Sequence, residues 1–336
     1  MILIDAIFIH IGGPKILLDY LISELEKTDK SITYLLDNRV KGKIQSIKPE
    51  NKVVYQQAKL IERNKFYIKH RNSFSTVLCM ANIPPNIRLR ATVYTYFHNS
   101  PFLEYIKGFS IRKNILFSLK RMVVNHYRKN TDFWIVQTNL IGEKLSKKYN
   151  LNIQQIFELP FYEPVNQDAL DVSKIKGQYT YVSLGVPYKN HLRLITAFCL
   201  FYDKHQYGKL IVTLPPEFKD ILQQIEQKKK AGYPIENVGY IDRKNVQKLF
   251  LESEYHVFPS LTESLGLGIL ESIDCGCKVI GADLPYMHAV CEPSVVFDPF
   301  NVEAIVGALK QSIEKDLPLS KSKVKNQIKE LLSLLK

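Results

Sequence analysis

Residues 258–285 read FPSLTESLGLGILESIDCGCKVIGADLP, and this stretch decides the fold class. A strand pattern that ends at Pro259 is followed by a polar turn, by apolar residues at helical spacing, and by a second strand pattern over 278–282. This order within about 30 residues is typical of a βαβ unit in a parallel sheet. In such sheets ligands bind at the carboxyl ends of the strands, so the turn after Pro259 is a candidate binding site.

Two glutamates mark that turn and its helix. Glu263 stands at the strand-to-helix turn and Glu271 about two helical turns later, so both are expected on the same side of the helix. Amides around Ser264, Leu265 and Gly266 would lie at the helix start and suit a diphosphate. Carboxylates beside a phosphate need hydroxyl donors, which a ribose or a sugar supplies. A nucleotide sugar therefore fits the stretch, although exposed glutamates at this spacing also occur on ordinary helices.

Strand and helix patterns alternate along the rest of the chain, which predicts mostly parallel sheets covered on both faces. We expect strands over 1–11, 31–36, 75–80, 91–97, 133–137, 179–184, 209–214, 238–241, 255–259, 278–282 and 295–297. Helices are expected over 16–25, 139–149, 190–202, 218–230 and 246–252, with a further helix beginning near residue 265.

A chain of 336 residues is too long for one ordinary core and predicts two domains. The prolines in LPFYEPVN, residues 159–166, suggest the linker. The predicted fold is α/β, with two facing, doubly wound, Rossmann-like domains and the active site in the cleft between them. The predicted bounds are 1–162 for an N-terminal domain, 163–174 for a linker, 175–318 for a C-terminal domain, and 319–336 for a C-terminal helix. The family resemblance described next implies that the first domain is on the acceptor side and that the second binds the nucleotide-sugar donor.

From Tyr179 to about Ala304 the sequence resembles the donor domain of retaining glycosyltransferases of family 4, which have the GT-B fold. The resemblance rests on the Glu-x7-Glu element in PSLTESLGLGILE, on VIGADLP, and on FDP at 297–299. A weaker likeness continues in the Gly12-Gly13 turn, the ANIPP loop and FHN at His98. It implies transfer of a hexose from a nucleotide diphosphate sugar to a hydroxyl of a lipid-linked glycan in surface polysaccharide synthesis.

The resemblance also implies roles for individual residues. Glu271 would bind the nucleotide ribose, Glu263 the donor sugar, and His98 would face the sugar near the reacting carbon. A cation at Lys189 would neutralise the leaving diphosphate. The predicted catalytic residues are His98, Lys189 and Glu263; the donor site adds Gly185, Tyr240, Ser264, Leu265, Gly266 and Glu271, and Gly12, Gly13 and Asn99 form an acceptor or diphosphate loop.

The sequence departs from the family pattern at Val186, where the family usually has an arginine. Arg193 or a residue of the other domain would have to compensate. Purely structural interpretations remain open, since Lys189 also fits a solvated loop lysine and His98 a structural histidine. The Gly12-Gly13 pair also fits a simple turn.

Neither a metal nor an organic cofactor is expected. Cys275 and Cys277 are too closely spaced for an ordinary structural zinc pair, and the chain has no Asp-x-Asp element where a GT-A enzyme would need one. The five cysteines are odd in number and lack CxxC pairs, which favours a reducing compartment. No signal-peptide pattern or apolar run of spanning length occurs, so we expect a cytoplasmic protein.

Positive charge is concentrated in the first half of the chain. Residues 1–165 hold 25 Lys/Arg and 13 Asp/Glu, whereas the remainder holds 21 and 20. The stretch 105–129, YIKGFSIRKNILFSLKRMVVNHYRK, interleaves basic and apolar residues and fits a helix at an anionic membrane surface on the inner face of the membrane. A core helix with a solvated basic face remains the alternative. Nucleic acid is not expected as a partner, because no recognition motif accompanies the charge.

Two other functions remain open. One is a sugar-nucleotide epimerase or phosphorylase of the same fold. The other is a nucleotide-sugar-binding module without activity, which Val186 in the arginine position would suit.

Overall fold

The computed structural model describes residues 1–44, 47–105, 109–165 and 172–336. The chain divides into two compact units. Unit 1 comprises Met1–Tyr105, Ser110–Glu163 and Lys325–Lys336, and unit 2 comprises Ile106–Phe109 and Pro164–Val324. Residues 166–171 of the predicted linker and Lys107 of the basic stretch lie outside the described residues.

Unit 1 is built on a parallel sheet whose central strands are buried along their whole length, as expected where helices cover both faces. In the described residues its strands are β1 (Ile2–Ala6), β2 (Ile32–Asp37), β3 (Lys52–Gln56), β4 (Thr76–Cys79), β5 (Thr92–Phe97), β6 (Phe133–Val136) and β7 (Ile156–Glu158). Their order is β3-β2-β1-β4-β5-β6-β7, and every pair is parallel.

The helices of unit 1 include α1 (Gly13–Leu25), α2 (Leu60–Lys69), α3 (Ile111–Tyr127) and α4 (Asn139–Tyr149). Two apolar clusters, one around Tyr67 and Val77 and one around Trp134 and Leu145, form the core between sheet and helices. The last helix of the chain, Ile328–Leu334, also belongs to unit 1, where it contacts α1.

Unit 2 repeats the architecture with a second parallel sheet. In the described residues its strands are β8 (Ile175–Tyr181), β9 (Lys209–Val212), β10 (Ile235–Asn237), β11 (Ser253–Phe258), β12 (Lys278–Ala282) and β14 (Val295–Phe297), in the order β10-β9-β8-β11-β12-β14. A short antiparallel pair joins β13 (Cys291–Glu292) to β15 (Lys321–Ser322). The helices are α5 (His191–His205), α6 (Lys219–Lys230), α7 (Arg243–Glu252), α8 (Leu267–Asp274), α9 (Pro285–Val290) and α10 (Val302–Glu314), so that Ile328–Leu334 is α11.

The predicted α/β class with two doubly wound sheets is confirmed. Strands β12 and β14 and helix α4 have the predicted bounds. The strand predicted over 238–241 is wrong, because β10 ends at Asn237 and Gly239 then turns the chain at φ 73°. The helix predicted over 319–336 forms only at α11, and β15 occupies part of that segment.

All five cysteines are buried, and none of them forms a disulfide bond. Cys275 and Cys277 pack with Phe250 in an apolar cluster. In the part of the chain that the structure describes, no helix combines the length and the apolar character needed to cross a membrane.

Candidate functional site

Lys189 and Glu263 form an ion pair in unit 2. Their Nζ and Oε1 atoms lie 2.5 Å apart, and the two side chains are 17% and 11% exposed. Lys189 follows β8 and Glu263 follows β11, which are neighbouring parallel strands. Because the carboxyl ends of such strands meet at one edge of the sheet, two side chains 74 residues apart in sequence come into contact.

Hydrogen bonds from three residues hold the backbone around Lys189. The Tyr181 hydroxyl donates to the Lys189 carbonyl at 2.8 Å, and the backbone amide of Leu261 donates to the Tyr188 carbonyl at 2.7 Å. Asn190 adopts the left-handed conformation at φ 62° and donates from Nδ2 to the carbonyls of Pro259 and Pro299. The loops after β8 and β11 are therefore cross-linked, which places the Lys189 ammonium without help from a ligand.

Three tyrosines near the pair keep their protons. Burial, and then the negative charge of Glu263, raise the pKa values of Tyr181, Tyr188 and Tyr286. These hydroxyl groups therefore act as hydrogen-bond donors at neutral pH. Tyr286 donates to the carbonyl of Ser260 at 2.6 Å, which steadies the loop before Glu263.

Glu271 lies on α8 and is 6% exposed. Its Oε1 atom lies 3.5 Å from a guanidinium nitrogen of Arg243, the first residue of α7. A carboxylate held in this way can accept hydrogen bonds from hydroxyl groups. The sequence predicted Tyr240 of the loop before Arg243 as a donor-site residue but did not assign this contact.

Helix α8 begins at Leu267, two residues later than expected. Gly266 is its N-cap in the left-handed conformation, at φ 69° and ψ 63°. Ser264 and Leu265 therefore precede the helix, and their side chains are 7% and 2% exposed. Of the three residues expected at the helix start, Gly266 is the N-cap, whereas Ser264 and Leu265 precede it; the first helical amides are those of Leu267 and Gly268.

Three other predicted positions of unit 2 have distinct surroundings. Gly185 is packed so closely that a Cβ atom there would lie 2.5 Å from Cγ of Phe218. Tyr240 is 65% exposed in the loop after β10. Arg193, considered as a substitute at the Val186 position, donates to Oδ1 of Asn190 at 2.6 Å and to the carbonyl of Pro299, so its guanidinium braces the loop.

Two buried histidines lie around Lys189. His191 and His256 are 2% and 0% exposed, and burial, with a smaller contribution from the Lys189 charge, lowers the pKa of each to about 3. Neither ring nitrogen of His191 has a hydrogen-bond partner among the described residues. Both rings are therefore neutral at physiological pH and add no positive charge beside Lys189.

His98 of unit 1 follows β5 and is half-buried. Its Nε2 atom lies 2.8 Å from the carbonyl oxygen of Met80, and its backbone N–H donates to Oδ1 of Asn82 at 2.7 Å. Burial lowers the pKa of His98 to about 4, although the backbone carbonyls of Met80 and His98 act in the opposite direction. Asn99, the next residue, is partly exposed at the start of a 3-10 turn.

The Gly12-Gly13 turn joins β1 to α1. Gly12 has φ 71° and caps α1, which requires glycine because side chains are strained there. Gly13 is the first helical residue and Pro14 follows in the first turn. The turn thus accounts for Gly12 structurally, and a ligand role for either glycine stays a prediction.

Helix α3 carries a row of exposed apolar side chains. Ile111, Ile115, Leu119 and Met122 follow one another at helical spacing and are 53–80% exposed. The basic residues Lys120 and Arg121 instead face the body of unit 1, where Lys120 lies over the Phe117 ring and Arg121 donates to the carbonyls of Pro101 and Glu104. Val124 of the same helix packs in the core of unit 1, and Arg112 and Lys113 are exposed, so the alternative of a core helix with a solvated basic face stays open beside the membrane surface.

In chemical terms, unit 2 offers a fixed ammonium beside a carboxylate, and a second carboxylate held by an arginine. Such a set binds an anionic group and hydroxyl groups together. Within the described ranges, no group of three or more His, Cys, Asp or Glu side chains could hold a metal ion.

The second half of the chain is similar to proteins of a known family. Residues 166–330 match the family described as glycosyl transferases group 1. A curated relative, the O-antigen chain mannosyltransferase B of Escherichia coli, is 28% identical over 145 residues. That match covers 42% of this chain and 38% of the relative, so the chain spans about two fifths of the relative's length.

Solved structures share the fold of the whole chain. A sucrose-phosphate synthase from Thermosynechococcus elongatus superposes with a TM-score of 0.74 at 15% identity, covering 94% of this chain and 90% of that one. The Anabaena protein HepE, solved in complex with UDP and glucose, superposes with a TM-score of 0.66 at 12% identity and the same coverage.

Proposed function

We propose that this chain, whose residues 166–330 match the glycosyl transferases group 1 family and whose two sheets have the GT-B fold, is a retaining glycosyltransferase. It moves a hexose from a nucleotide diphosphate sugar to a hydroxyl of a lipid-linked glycan in surface polysaccharide synthesis. The observation that carries the proposal is the Lys189–Glu263 pair at the ligand edge of unit 2. The O-antigen role in the name of the E. coli relative supports the polysaccharide assignment.

In the proposed reaction the bond from the sugar C1 atom to the diphosphate oxygen breaks, and a bond from C1 to the acceptor oxygen forms on the same face. The acceptor hydroxyl gives its proton to the leaving diphosphate oxygen. Lys189 neutralises the negative charge that develops on that oxygen. A fixed cation does this most effectively where the site is partly shielded from water, because the dielectric constant is lower there. Neither a metal nor an organic cofactor takes part.

The carboxylates position the donor. Glu263 accepts hydrogen bonds from hydroxyls of the sugar, and Glu271 from hydroxyls of the ribose. In the unliganded protein Lys189 pairs with Glu263. When the donor binds, the diphosphate replaces Glu263 as the partner of Lys189, and the Glu263 carboxylate can then accept hydrogen bonds from the sugar. His98 of unit 1 contributes a further polar contact to the sugar.

The donor assignment is tested by thermal unfolding with UDP, GDP and their sugars, before any acceptor is known. A nucleotide at about 100 times its Kd stabilises the folded protein by about 2.7 kcal/mol. Lys189→Ala should abolish this shift, whereas Lys310→Ala, in an exposed pair on α10, should leave it unchanged. A shift that is equal in all three proteins would contradict the site, and binding without transfer to any glycan would favour the inactive binding module.

We also propose that the protein is cytoplasmic and attaches to the inner face of the membrane through α3. The row Ile111, Ile115, Leu119 and Met122 is the contact surface. No acidic residue occurs between Glu104 and Asp132, whereas Lys or Arg occurs seven times there. This charge favours anionic lipid over a second copy of the same basic half, which would be repelled.

Vesicle co-sedimentation tests the attachment. Replacing Ile115 and Met122 together by Ser should lower binding to anionic vesicles by roughly 100- to 10,000-fold, since each buried apolar side chain contributes about 1.5–3 kcal/mol. Ile61 and Ile68 on α2 are equally exposed and provide the matched control pair. Equal binding by both double variants would contradict the assignment to α3, and no binding by the unmodified protein would contradict membrane attachment itself.

A further inference from the structure

The unit 1 sheet has a groove at the edge where its strands begin. The segments that lead into β5, β6 and β7 meet there, because the amino ends of neighbouring parallel strands share one edge of a sheet. Two cavities of about 320 and 410 Å³ form the groove, and Arg88, Asp132 and Gln155 line both of them. Ligand pockets have volumes of about 300–1,000 Å³, so each cavity has room for a small polar group. The groove contains none of the predicted donor-site residues.

Positive charge dominates the lining of the groove. It has four basic residues and one acidic residue, which are Arg88, Arg90, Arg128, Lys129 and Asp132. The acidic residue already has its partners, since one carboxylate oxygen of Asp132 accepts from the Arg88 guanidinium and the other accepts from the backbone N–H of Val93 at 2.8 Å. The lining therefore carries a net charge of +3, which favours an anionic ligand.

Two of the four cations are held in place and two are available. Arg88 donates to the Lys129 carbonyl at 3.4 Å, and Arg128 donates to the carbonyl of Asn125 near the end of α3. Arg90 and Lys129 are exposed, and within the described residues their side chains make no hydrogen bond or ion pair. Phosphate oxygens that reach either side chain gain a charge-assisted hydrogen bond, while the two fixed guanidinium groups add positive charge beside them.

Uncharged polar side chains complete the lining. Gln155 lines both cavities, Asn150 and Asn152 line the larger one, and all three residues are exposed. Side-chain amides both donate and accept hydrogen bonds, as the hydroxyl groups of a glycerol require. An ammonium group, in contrast, is repelled by a lining with a net positive charge. The groove therefore suits a phosphate that is linked to a hydroxyl-bearing group and disfavours one that is linked to an amine.

The groove lies at the end of the exposed row on α3. Beyond Met122 the next positions at helical spacing are His126 and Lys129, and both residues are exposed. Helix α3 ends at Tyr127, and the 3-10 turn Arg128–Asn130 carries the chain into the lining of the groove. A helix that lies in the plane of a membrane keeps its row, along its whole length, at the boundary between headgroups and acyl chains. The proposed attachment of α3 thus brings the groove to the phosphate groups of the lipids.

We propose that this groove binds the phosphate group of an anionic glycerophospholipid whose headgroup carries hydroxyls, as in phosphatidylglycerol. Arg90 and Lys129 donate to the phosphate oxygens, Arg88 and Arg128 supply fixed positive charge, and Gln155 meets the headgroup hydroxyls. The inference rests on the proposed attachment of α3 and goes beyond it. An apolar row with diffuse positive charge binds any anionic lipid, whereas this groove distinguishes one anionic headgroup from another.

A paired substitution, Arg90→Gln with Lys129→Gln, removes the two available cations and is called the groove variant. The matched control is Lys41→Gln with Lys43→Gln, which removes the same charge from two exposed residues of unit 1 outside the groove. Because all four residues are exposed, thermal unfolding should be the same in both variants as in the unmodified protein. Co-sedimentation uses phosphatidylcholine vesicles that contain an equal fraction of either phosphatidylglycerol or phosphatidylserine, two lipids of the same net charge.

We expect the unmodified protein to prefer phosphatidylglycerol vesicles by roughly 10- to 100-fold, the effect expected of one hydrogen bond to a charged group. The groove variant should bind the two kinds of vesicle with nearly equal affinity. The control variant should keep the preference, even if the loss of charge weakens its binding to both lipids. Ile115→Ser with Met122→Ser should also weaken binding to both lipids and keep the preference.

Equal affinity of the unmodified protein for the two lipids, or the same change of preference in the groove and control variants, would overturn the inference while the attachment of α3 stands. Failure of the attachment has a different signature, because the unmodified protein would then bind neither kind of vesicle. Calorimetry with glycerol phosphate identifies the source of the phosphate in that case. Binding of glycerol phosphate without any binding to vesicles would assign the groove to a soluble phosphate and overturn the lipid assignment.

Discussion

The ammonium of Lys189 lies 2.5 Å from Oε1 of Glu263, although the two residues belong to loops that follow different strands of the unit 2 sheet. Each side chain is mostly buried, and each is the other's charge partner. A ligand that takes Lys189 must therefore also satisfy Glu263, and a nucleotide sugar carries both the anion and the hydroxyl groups that this requires.

The stability of the unliganded protein should report this pairing. Lys189→Met and Glu263→Gln each leave a largely buried partner, so each should destabilise the fold, while the double variant should lie closer to the unmodified protein. The coupling measured by urea unfolding should be about 1–3 kcal/mol. The exposed Lys310–Glu314 pair should give less than about 1 kcal/mol, and equal coupling in the two pairs would contradict a special environment for Lys189.

Glu271 should govern recognition of the ribose. Loss of a hydrogen bond to a charged group removes about 1.5–3 kcal/mol, so Glu271→Gln should weaken nucleotide binding roughly 10- to 100-fold by calorimetry. The same variant should bind the ribonucleotide and its deoxyribose analogue with nearly equal affinity, unlike the unmodified protein. Undiminished preference for the ribonucleotide would exclude Glu271 as the ribose partner.

Acid should destabilise unit 2 through its buried histidines. His191 and His256 have folded pKa values of about 3, against an ordinary value of 6.5, so below pH 6.5 the unfolded chain binds protons that the folded state does not. The free energy of unfolding should therefore fall as the pH drops from 6.5 toward 3, by about 1.4 kcal/mol per pH unit for each histidine.

Substitution of one histidine isolates this effect. His191→Phe fills the same space beside the Tyr181 ring and removes two ring nitrogens that lack partners among the described residues. Its unfolding free energy should depend on pH less steeply, by about 1.4 kcal/mol per unit, in urea titrations above and below pH 6.5. His126→Gln on the exposed face of α3 is the control, and equal slopes for the two variants would show that His191 is not the titrating group.

Gly185 should tolerate no side chain. A Cβ atom there would meet Cγ, Cδ1 and Cβ of Phe218 at 2.5–2.9 Å, so Gly185→Ala should destabilise unit 2 by about 1–3 kcal/mol. Phe218→Leu in the same chain should recover part of the loss. Gly307→Ala on α10 meets nothing within 4 Å and should stabilise the helix by about 0.5–1 kcal/mol; destabilisation by both alanines would point to a cause other than Phe218.

Most of the fold could be predicted because strands buried in a parallel sheet appear in the sequence as continuous runs of apolar residues. The prediction omitted β3 and β7, which lie at the two edges of the unit 1 sheet, the short pair β13 and β15, and the helices α2, α9 and α10. Residues of β3 are only partly buried, so its apolar pattern is weak. The end of β10 depended on the turn at Gly239, whose positive φ no hydrophobic pattern reveals.

The site was predictable in its residues but not in its contacts. Lys189 and Glu263 follow strands that the sequence predicts with bounds a few residues too late, and their contact depends on β8 and β11 being neighbours, which strand order alone decides. Asn82 was visible only as part of the ANIPP loop, and its hydrogen bond to His98 follows from a left-handed backbone. The exposure of the apolar row on α3 could not be predicted, because the sequence does not show which side of an amphipathic helix packs against the rest of the protein.

Sugar transfer from a labelled nucleotide sugar to glycan lipid is the most direct test of the central claim. The account predicts that Lys189→Ala and Glu263→Ala each reduce turnover by orders of magnitude, with the fold intact by circular dichroism, while Lys310→Ala transfers at the unmodified rate. Near-normal transfer by both site variants would contradict the account.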